Sequence, residues 1–204
     1  MTTRAKPKLG FVGLGHMGGN MAARLLAAGH EVYGQERRRE RARHLEQAGL
    51  RWRDTPRQVA EAAEIVFTSL PDDSALESAA SGPDGLLAGL ASGRIWVDVS
   101  TVSPRISRQL AERARRRGVE MLDAPDSGSV PQVQAGTLAI MVGGSVDAYH
   151  RVEQVLREVG TSTRIGDHGQ GLALKLAINI SLAVQMLALS EGLLLATRDG
   201  VNPK

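Results

Sequence analysis

The chain has 204 residues, 42% of them hydrophobic but only 3% aromatic, with a formal net charge of +3 and no cysteine. That supplies a core for one large domain, or one domain plus an appendage, and excludes a disulfide framework, a thiolate metal site and a cysteine nucleophile. With so few aromatic side chains, and arginines mixed with acids, a base-stacking nucleic-acid binder is not expected.

The start, MTTRAKPKLGFVGLG, is basic, but its apolar stretch runs straight into glycines and lacks a signal-peptide core. No segment has the roughly 18–20 uninterrupted apolar residues of a membrane span. The longest candidate, 172–196, is interrupted by Lys175, Asn179, Gln185 and Glu191. A soluble, cytoplasmic protein with no membrane partner is expected.

Strand and helix patterns then alternate. Lys8–Val12 is a short apolar strand ending in glycines. Met17–Ala28 has helical periodicity and stops at Gly29, suited to cap a helix C-terminus. Glu31–Gln35 is a second strand, Arg38–Ala48 a charged helix closed by Gly49, and Leu50–Trp52 a short strand. Thr55 before Pro56 reads as an N-cap opening a helix over Pro56–Ala63. Glu64–Leu70 and Ile95–Val99 are buried strands, and Ser103 caps a helix that runs to Arg117. Val119–Asp123, Leu138–Val142 and Thr161–Ile165 supply further strands, with a helix over Val146–Val159. Strands separated by helices of this length imply right-handed crossovers and a parallel sheet. The charge runs ERRRER (36–41) and RARRR (113–117) read as solvated helix faces.

The end of the chain differs. One long helix is predicted from about Gly169 to Thr197, closed by Arg198-Asp199-Gly200 and then Asn202-Pro203. Its apolar residues surround more than half of the circumference, so burial on several sides is expected, against another subunit or a helical partner domain.

The first strand is followed by Gly13-Leu14-Gly15-His16-Met17-Gly18, a G-x-G-x-x-G with a strand before it and a helix after it. The first glycine makes the turn, the second lets a pyrophosphate approach the backbone, and the third allows close helix–strand packing. Phosphates then sit on helix N–H groups at the positive end of the dipole. The fold class predicted is therefore α/β: a Rossmann-like, doubly wound, mostly parallel sheet over residues 1–167, followed by a long C-terminal helix over 168–204. Glu36 stands where an acid binds a free ribose 2′-OH, which favours NAD. Arg37, Arg38 and Arg39 follow at once and suit a 2′-phosphate. NADP is slightly favoured over NAD, because Arg37 adjoins the strand end and the local charge is positive.

One lysine stands out in GQGLALKLAINI (169–180). Of 25 basic residues only Lys6, Lys8, Lys175 and Lys204 are lysines. Arginine cannot release its proton at biological pH, whereas a lysine on an apolar helix can do acid–base work. A positioned ammonium can stabilise the oxygen of an aldehyde that accepts hydride and can donate the proton, and the neutral amine serves the reverse reaction.

Several stretches together resemble a known family. GFVGLGHMGGNMAARLLAAGHEV (10–32), SLPDD (69–73), VDVSTVSP (97–104), DAPDSGSVPQVQAGTLAIMVGG (123–144) and GQGLALKLAIN (169–179) are similar, in order, to the β-hydroxyacid dehydrogenases, which include 3-hydroxyisobutyrate dehydrogenase and tartronate semialdehyde reductase. The resemblance covers residues 8–200. It implies a Rossmann-like domain, a long interdomain helix, and an all-helical domain that would begin about where this sequence stops. It implies the interconversion of a small 3-hydroxy acid and its semialdehyde, and a homodimer or higher oligomer. It gives Lys175 the role of catalytic proton donor and acceptor. Asn179, four residues on, holds the substrate, and Ser127 and Gly128 form the carboxylate-binding loop. Thr101, with Leu70 and Pro71, lines the nicotinamide side.

Two positions depart from the family. Asp126 and Ser129 stand in Asp-Ala-Pro-Asp-Ser-Gly-Ser where Asp-Ala-Pro-Val-Ser-Gly-Gly is usual. Asp126 is expected to point outward as a loop acid; pointing inward, it would repel a carboxylate. Ser129 adds a donor. Two other readings stand beside the enzyme: a cofactor-binding fragment or regulatory module without turnover, and a relative of the imine reductases, which usually lack the lysine. His16 and His168 read as structural, and the five histidines show no metal-ligand spacing with carboxylates, so no metal is expected.

Overall fold

A computed structural model describes residues 6–202; residues 1–5 of the basic start, and Pro203 after the last helix, lie outside them. Six short strands carry the parallel part of the sheet: β1 (Leu9–Val12), β2 (Val32–Gln35), β3 (Arg51–Trp52), β4 (Ile65–Thr68), β5 (Ile95–Asp98) and β6 (Glu120–Asp123). β7 (Asp126–Ser127), β8 (Leu138–Gly143) and β9 (Gly160–Gly166) complete it. The order is β3-β2-β1-β4-β5-β6-β8-β7, with β9 also on β8. β8 runs antiparallel to β6 through Asp123 and Gly143, and antiparallel to β7, whereas β9 follows β8 in parallel. The sheet is thus mostly parallel, as expected, with one reversal after β6.

Nine α-helices connect the strands among the described residues: α1 (His16–Ala27), α2 (Arg43–Gln47), α3 (Pro56–Ala62), α4 (Asp73–Ala80), α5 (Leu86–Gly89), α6 (Pro104–Arg115), α7 (Val130–Ala135), α8 (Val146–Arg157) and α9 (Gln170–Arg198). The helix predicted over Arg38–Ala48 is broken: Arg39–Ala42 is a 3-10 turn and only Arg43–Gln47 is α-helical. Thr55 and Ser103 cap α3 and α6 as read, each accepting a backbone N–H. Three short helices, α4, α5 and α7, and the two-residue β7 were not predicted.

Strands buried on both faces explain the apolar runs. Leu9 and Phe11 pack with Leu25, Leu122 and Val152 on one side of the sheet. Val12 packs with Val59, Val66, Trp96 and Leu110 on the other. Phe11 and Phe67 stack across β1 and β4 with ring centroids 4.9 Å apart.

α9 stands apart from this core. Among its described residues only Gly171 and Leu172 are buried, while Ile180 is 67% and Leu195 73% exposed. By length and composition it is long and apolar enough to cross a membrane, with a mean hydropathy of 1.9 in its most apolar window. The run is interrupted at Lys175, Asn179, Gln185 and Glu191, as read, but its window average is high all the same. One such helix is weak evidence for a membrane span, because core helices reach the same values.

Candidate functional site: a dinucleotide cleft beside a lysine

The glycine loop fits its three predicted roles. Gly13 has φ +92°, and a Cβ there would stand 2.3 Å from the Ser69 carbonyl oxygen. A Cβ on Gly18 would stand 2.2 Å from the Gly13 carbonyl oxygen. A Cβ on Gly15 would meet nothing within 4 Å, so the chain leaves open space at that point. Gly15 is also the N-cap of α1, no side chain caps that end, and its first turn carries no acid. The N–H groups there are turned to whatever anion enters.

These residues open on a cleft of about 830 Å³ lined by Gly13, Gly15, His16 and Met17, by Glu36 and Arg37, and by Leu70 and Pro71. Leu14 and Gly18 are buried beneath it. The Leu14 side chain belongs to the core, and its backbone N–H donates to Glu36 Oε2 at 3.0 Å. Glu36 is therefore tied to the loop that it faces. Arg37 lines the cleft, and so does Arg41, which sequence reading missed. Arg39 turns away: it pairs with Glu46 at 2.8 Å and lies 5.0 Å over the Trp52 ring. The donor set, the open glycine and the size of the cleft fit a dinucleotide.

The turn after β4 forms the opposite wall, and buried polar groups hold it. Leu70 N–H donates to Ser100 Oγ at 2.9 Å. Ser100 N–H and Thr68 Oγ1 both donate to Asp98 Oδ1, at 3.2 and 2.7 Å. Trp96 Nε1 donates to Thr68 Oγ1 at 2.9 Å. Asp98 Oδ2 is buried and has no hydrogen-bond partner among the described residues. Burial pushes the Asp98 carboxyl up to about 6, against the donors from Ser100 and Thr68 and with the charge of Asp123 adding to the rise. In the same turn Asp72 caps α4 through Ala75 N–H, and Asp73 accepts from Ser103 N–H. A second cleft, of about 630 Å³, shares Pro71, Asp72 and Ser74 with the first and is lined also by Thr101, Pro104 and Leu176.

Leu176 belongs to α9, whose root is fixed by a residue that sequence reading missed. Asp123 is fully buried and accepts the N–H groups of Gly169 and Leu172 at 2.6 and 2.8 Å. A carboxylate at a helix N-terminus is favoured by the dipole. Only glycine fits at 171, where a Cβ would stand 2.3 Å from the Met141 carbonyl oxygen. His168 is structural, as read. Its Nδ1 donates to the Met121 carbonyl oxygen at 3.0 Å, and its Nε2 lies 2.9 Å from Ser107 Oγ. The signal for Asp123 was an acid at a strand end, whose partner Gly169 lies 46 positions further along the chain.

Lys175 follows Gly171 by one turn and is half-buried; among the described residues it has no hydrogen bond or salt bridge. Asn179 lies a turn further and is exposed. Ser127 is half-buried on β7, and Gly128 has φ +144°. None of these four lines either cleft, although Leu176 beside Lys175 does. Asp126 corrects the expectation of an outward loop acid. It is half-buried, and burial raises its carboxyl above the usual range while the Lys175 charge draws it back. Ser129 is not a free donor, because its Oγ donates to Gln132 Oε1 at 2.6 Å at the start of α7.

Fold and cleft together define a Rossmann-like NAD(P)-binding domain. Residues 8–168 match the family described as the NAD binding domain of 6-phosphogluconate dehydrogenase. The chain is 39% identical over 196 residues to a 3-hydroxyisobutyrate dehydrogenase of Pseudomonas aeruginosa, covering 96% of this chain and 66% of that one. It is 36% identical to a 2-(hydroxymethyl)glutarate dehydrogenase of Eubacterium barkeri, covering 97% of this chain and 66% of the relative. A solved Mycobacterium tuberculosis 3-hydroxyisobutyrate dehydrogenase with L-serine superposes with a TM-score of 0.90 at 32% identity, over 98% of this chain and 68% of that one. The chain belongs to the β-hydroxyacid dehydrogenase family, by way of its N-terminal NAD(P)-binding domain. It spans just under two thirds of the length of these curated relatives.

Proposed function

We propose that this chain is the dinucleotide-binding half of an NADP-dependent oxidoreductase that interconverts a small 3-hydroxy acid and its semialdehyde. The observation that carries the reading is the placement of Lys175. Asp123 holds the root of α9 beside the ends of β6 and β8, so the lysine stands next to the cleft that Thr101, Pro71 and Leu176 share. A bound nicotinamide would supply or accept the hydride. Gly13, Gly15, His16 and Met17 would hold the pyrophosphate, and Leu70, Pro71 and Thr101 would border the ring. Glu36 orients a ribose hydroxyl, and Arg37, with Arg41, answers a 2′-phosphate. Lys175 donates its Nζ proton to the aldehyde oxygen and takes it back in the oxidative direction. Ser127, the Gly128 backbone and Asn179 hold the substrate's acid group. α9 serves as the link to a helical domain, and the oligomer is a dimer or larger.

The test combines a titration with turnover. Lys175→Ala should leave NADPH affinity unchanged and lower the rate of semialdehyde reduction by about a thousandfold, within the range for a lost general acid. Lys175→Arg should not restore it, because arginine holds its proton. Turnover that survives Lys175→Ala removes the lysine from the chemistry. One observation favours a second reading, a cofactor-binding module without turnover: α9 has no buried residue after Leu172, which leaves Asn179 exposed and Lys175 only half-covered. NADPH binding without reduction of any semialdehyde by this chain decides for that module.

A further inference from the structure

We infer that the hollow between the end of α6 and the turn after α4 binds a compact phosphate, the free ion or a phosphate ester. Its volume is about 270 Å³, and Arg113, Arg116, Arg117, Ser81, Gly82 and Leu87 line it. Among the described residues no acid lines it. The three arginines stand three and four positions apart, so they share one side of the helix end. Gly82 turns the facing chain with φ +82°, and a Cβ there would meet no protein atom within 4 Å. The turn leaves open space at that point, as Gly15 does in the dinucleotide cleft.

The positive charge here exceeds what the fold consumes. The C-terminus of a helix carries about half an elementary negative charge. Glu112 pairs with Arg115 and Arg116 at 2.9 and 3.1 Å, and Glu77 pairs with Arg113 at 2.6 Å. Four arginines thus face two carboxylates and the helix end, which leaves more than one positive charge over. Arg117 holds the clearest share of it. It donates to the Leu87 carbonyl at 2.7 Å, and no acid pairs with it among the described residues. Arg113 Nη2 donates to Ser81 Oγ at 2.9 Å, and that hydroxyl donates to Glu77 Oε1 at 2.7 Å. Guanidinium groups with donors to spare match the oxygens of a phosphate. An entering phosphate competes with Glu77 for Arg113. Ser81 also lines the dinucleotide cleft, so the two sites meet at one serine.

Calorimetry with inorganic phosphate reads the hollow, with NADPH present to fill the glycine loop. The native chain should bind phosphate with a Kd below about 1 mM at low salt. Arg117→Ala should weaken it at least about tenfold, the scale of one charged hydrogen bond. Glu77→Gln removes the competing charge and keeps an acceptor for Ser81 and Arg113, so it should tighten binding about threefold. Arg157→Ala removes the same charge from α8 as Arg117→Ala removes from α6, and should change nothing. Glycerol phosphate distinguishes the sources: an ester that binds at least as tightly is the occupant, and a weaker one leaves the free ion. NADPH affinity should stay native in all three variants, since none of these residues lines the dinucleotide cleft. A native chain that binds neither phosphate overturns the inference. So does an equal loss in Arg117→Ala and Arg157→Ala, which marks diffuse attraction to a basic surface, or no gain in Glu77→Gln. Failure to bind NADPH overturns the cofactor reading instead, and the Arg117 comparison still decides the phosphate site.

Discussion

Glu36 and Arg37 are neighbours at the end of β2 with opposite demands on a ligand. Glu36 is held by Leu14 N–H, so its charge stays in the cleft and suits a free hydroxyl. Arg37 is exposed and unfastened among the described residues, and Arg41 lines the same wall. Arg37→Ala should weaken NADPH binding about tenfold, the scale of one charged hydrogen bond to phosphate, and leave NADH nearly unchanged. Equal losses for both would show that Arg37 does not read the 2′ position. Asp98 sets a different kind of dependence. Its carboxyl is raised from 3.8 to about 6, so the folded chain binds this proton more tightly than the unfolded chain does. The stability it contributes is complete below 3.8 and is lost as pH rises through about 6, on the order of 3 kcal/mol for a shift of this size. Asp98→Asn keeps an acceptor for Thr68 and Ser100 and cannot ionise. Relative to that variant, the native chain should melt progressively lower as pH rises across this window. A constant difference between the two melting temperatures would remove Asp98 as its origin. At this scale Lys175 was legible in the sequence because a rare residue type stood alone in an apolar run. Asp123, Arg41 and the Glu36–Leu14 bond were not, since each takes its meaning from a partner that only the folded chain brings near.

The loop between β1 and α1 separates two reasons for glycine. Gly18→Ala puts a methyl 2.2 Å from the Gly13 carbonyl and 2.8 Å from Ser69 Cβ, so the loop must open. That variant should melt lower and lose NADPH binding together. Gly15→Ala meets no protein atom within 4 Å. It should fold as the native chain does and still lose most of its NADPH affinity, because the methyl enters the space the pyrophosphate needs. Native affinity in Gly15→Ala would place the phosphates elsewhere. Elements with a full period, such as α1, α6 and α8, could be read to within a few residues. β7 has only two residues and α5 only four, too short for any period to show. α4 did carry a signal in Asp72, whose side chain accepts from Ala75 N–H, but that cap alone did not mark a helix.

Across the whole molecule the alternation of strands and helices announced the sheet, and the five ordered motifs announced the family. The reversal at β8 was hidden, because direction depends on the two-residue β7 and on α7 between Asp123 and Leu138. The apolar surface of α9 was legible, because its apolar residues surround more than half of the helix and nothing else in the sequence matches them. A run of exposed Ile180, Leu187 and Leu195 is an apolar stripe of the kind that marks an interaction site. We expect the chain to associate, with light scattering giving a mass above the monomer's. Leu187→Glu should shift it toward monomer without changing NADPH affinity. A native chain that scatters as a clean monomer contradicts the expectation.

The attachment of α9 has a mechanical side. Asp123 and Gly171 grip its first turn, and beyond Leu176 most of its 29 residues are exposed. At about 1.5 Å per residue the helix is a beam roughly 43 Å long, and Lys175 sits only about 8 Å from its clamp. A tilt of about 5° would swing the far end by about 4 Å and the lysine by less than about 1 Å. Whatever grips the far end works on a long arm, while the ammonium stays close to the fulcrum. The opening above the cleft can change widely while the proton donor proposed for it, Lys175, keeps its aim.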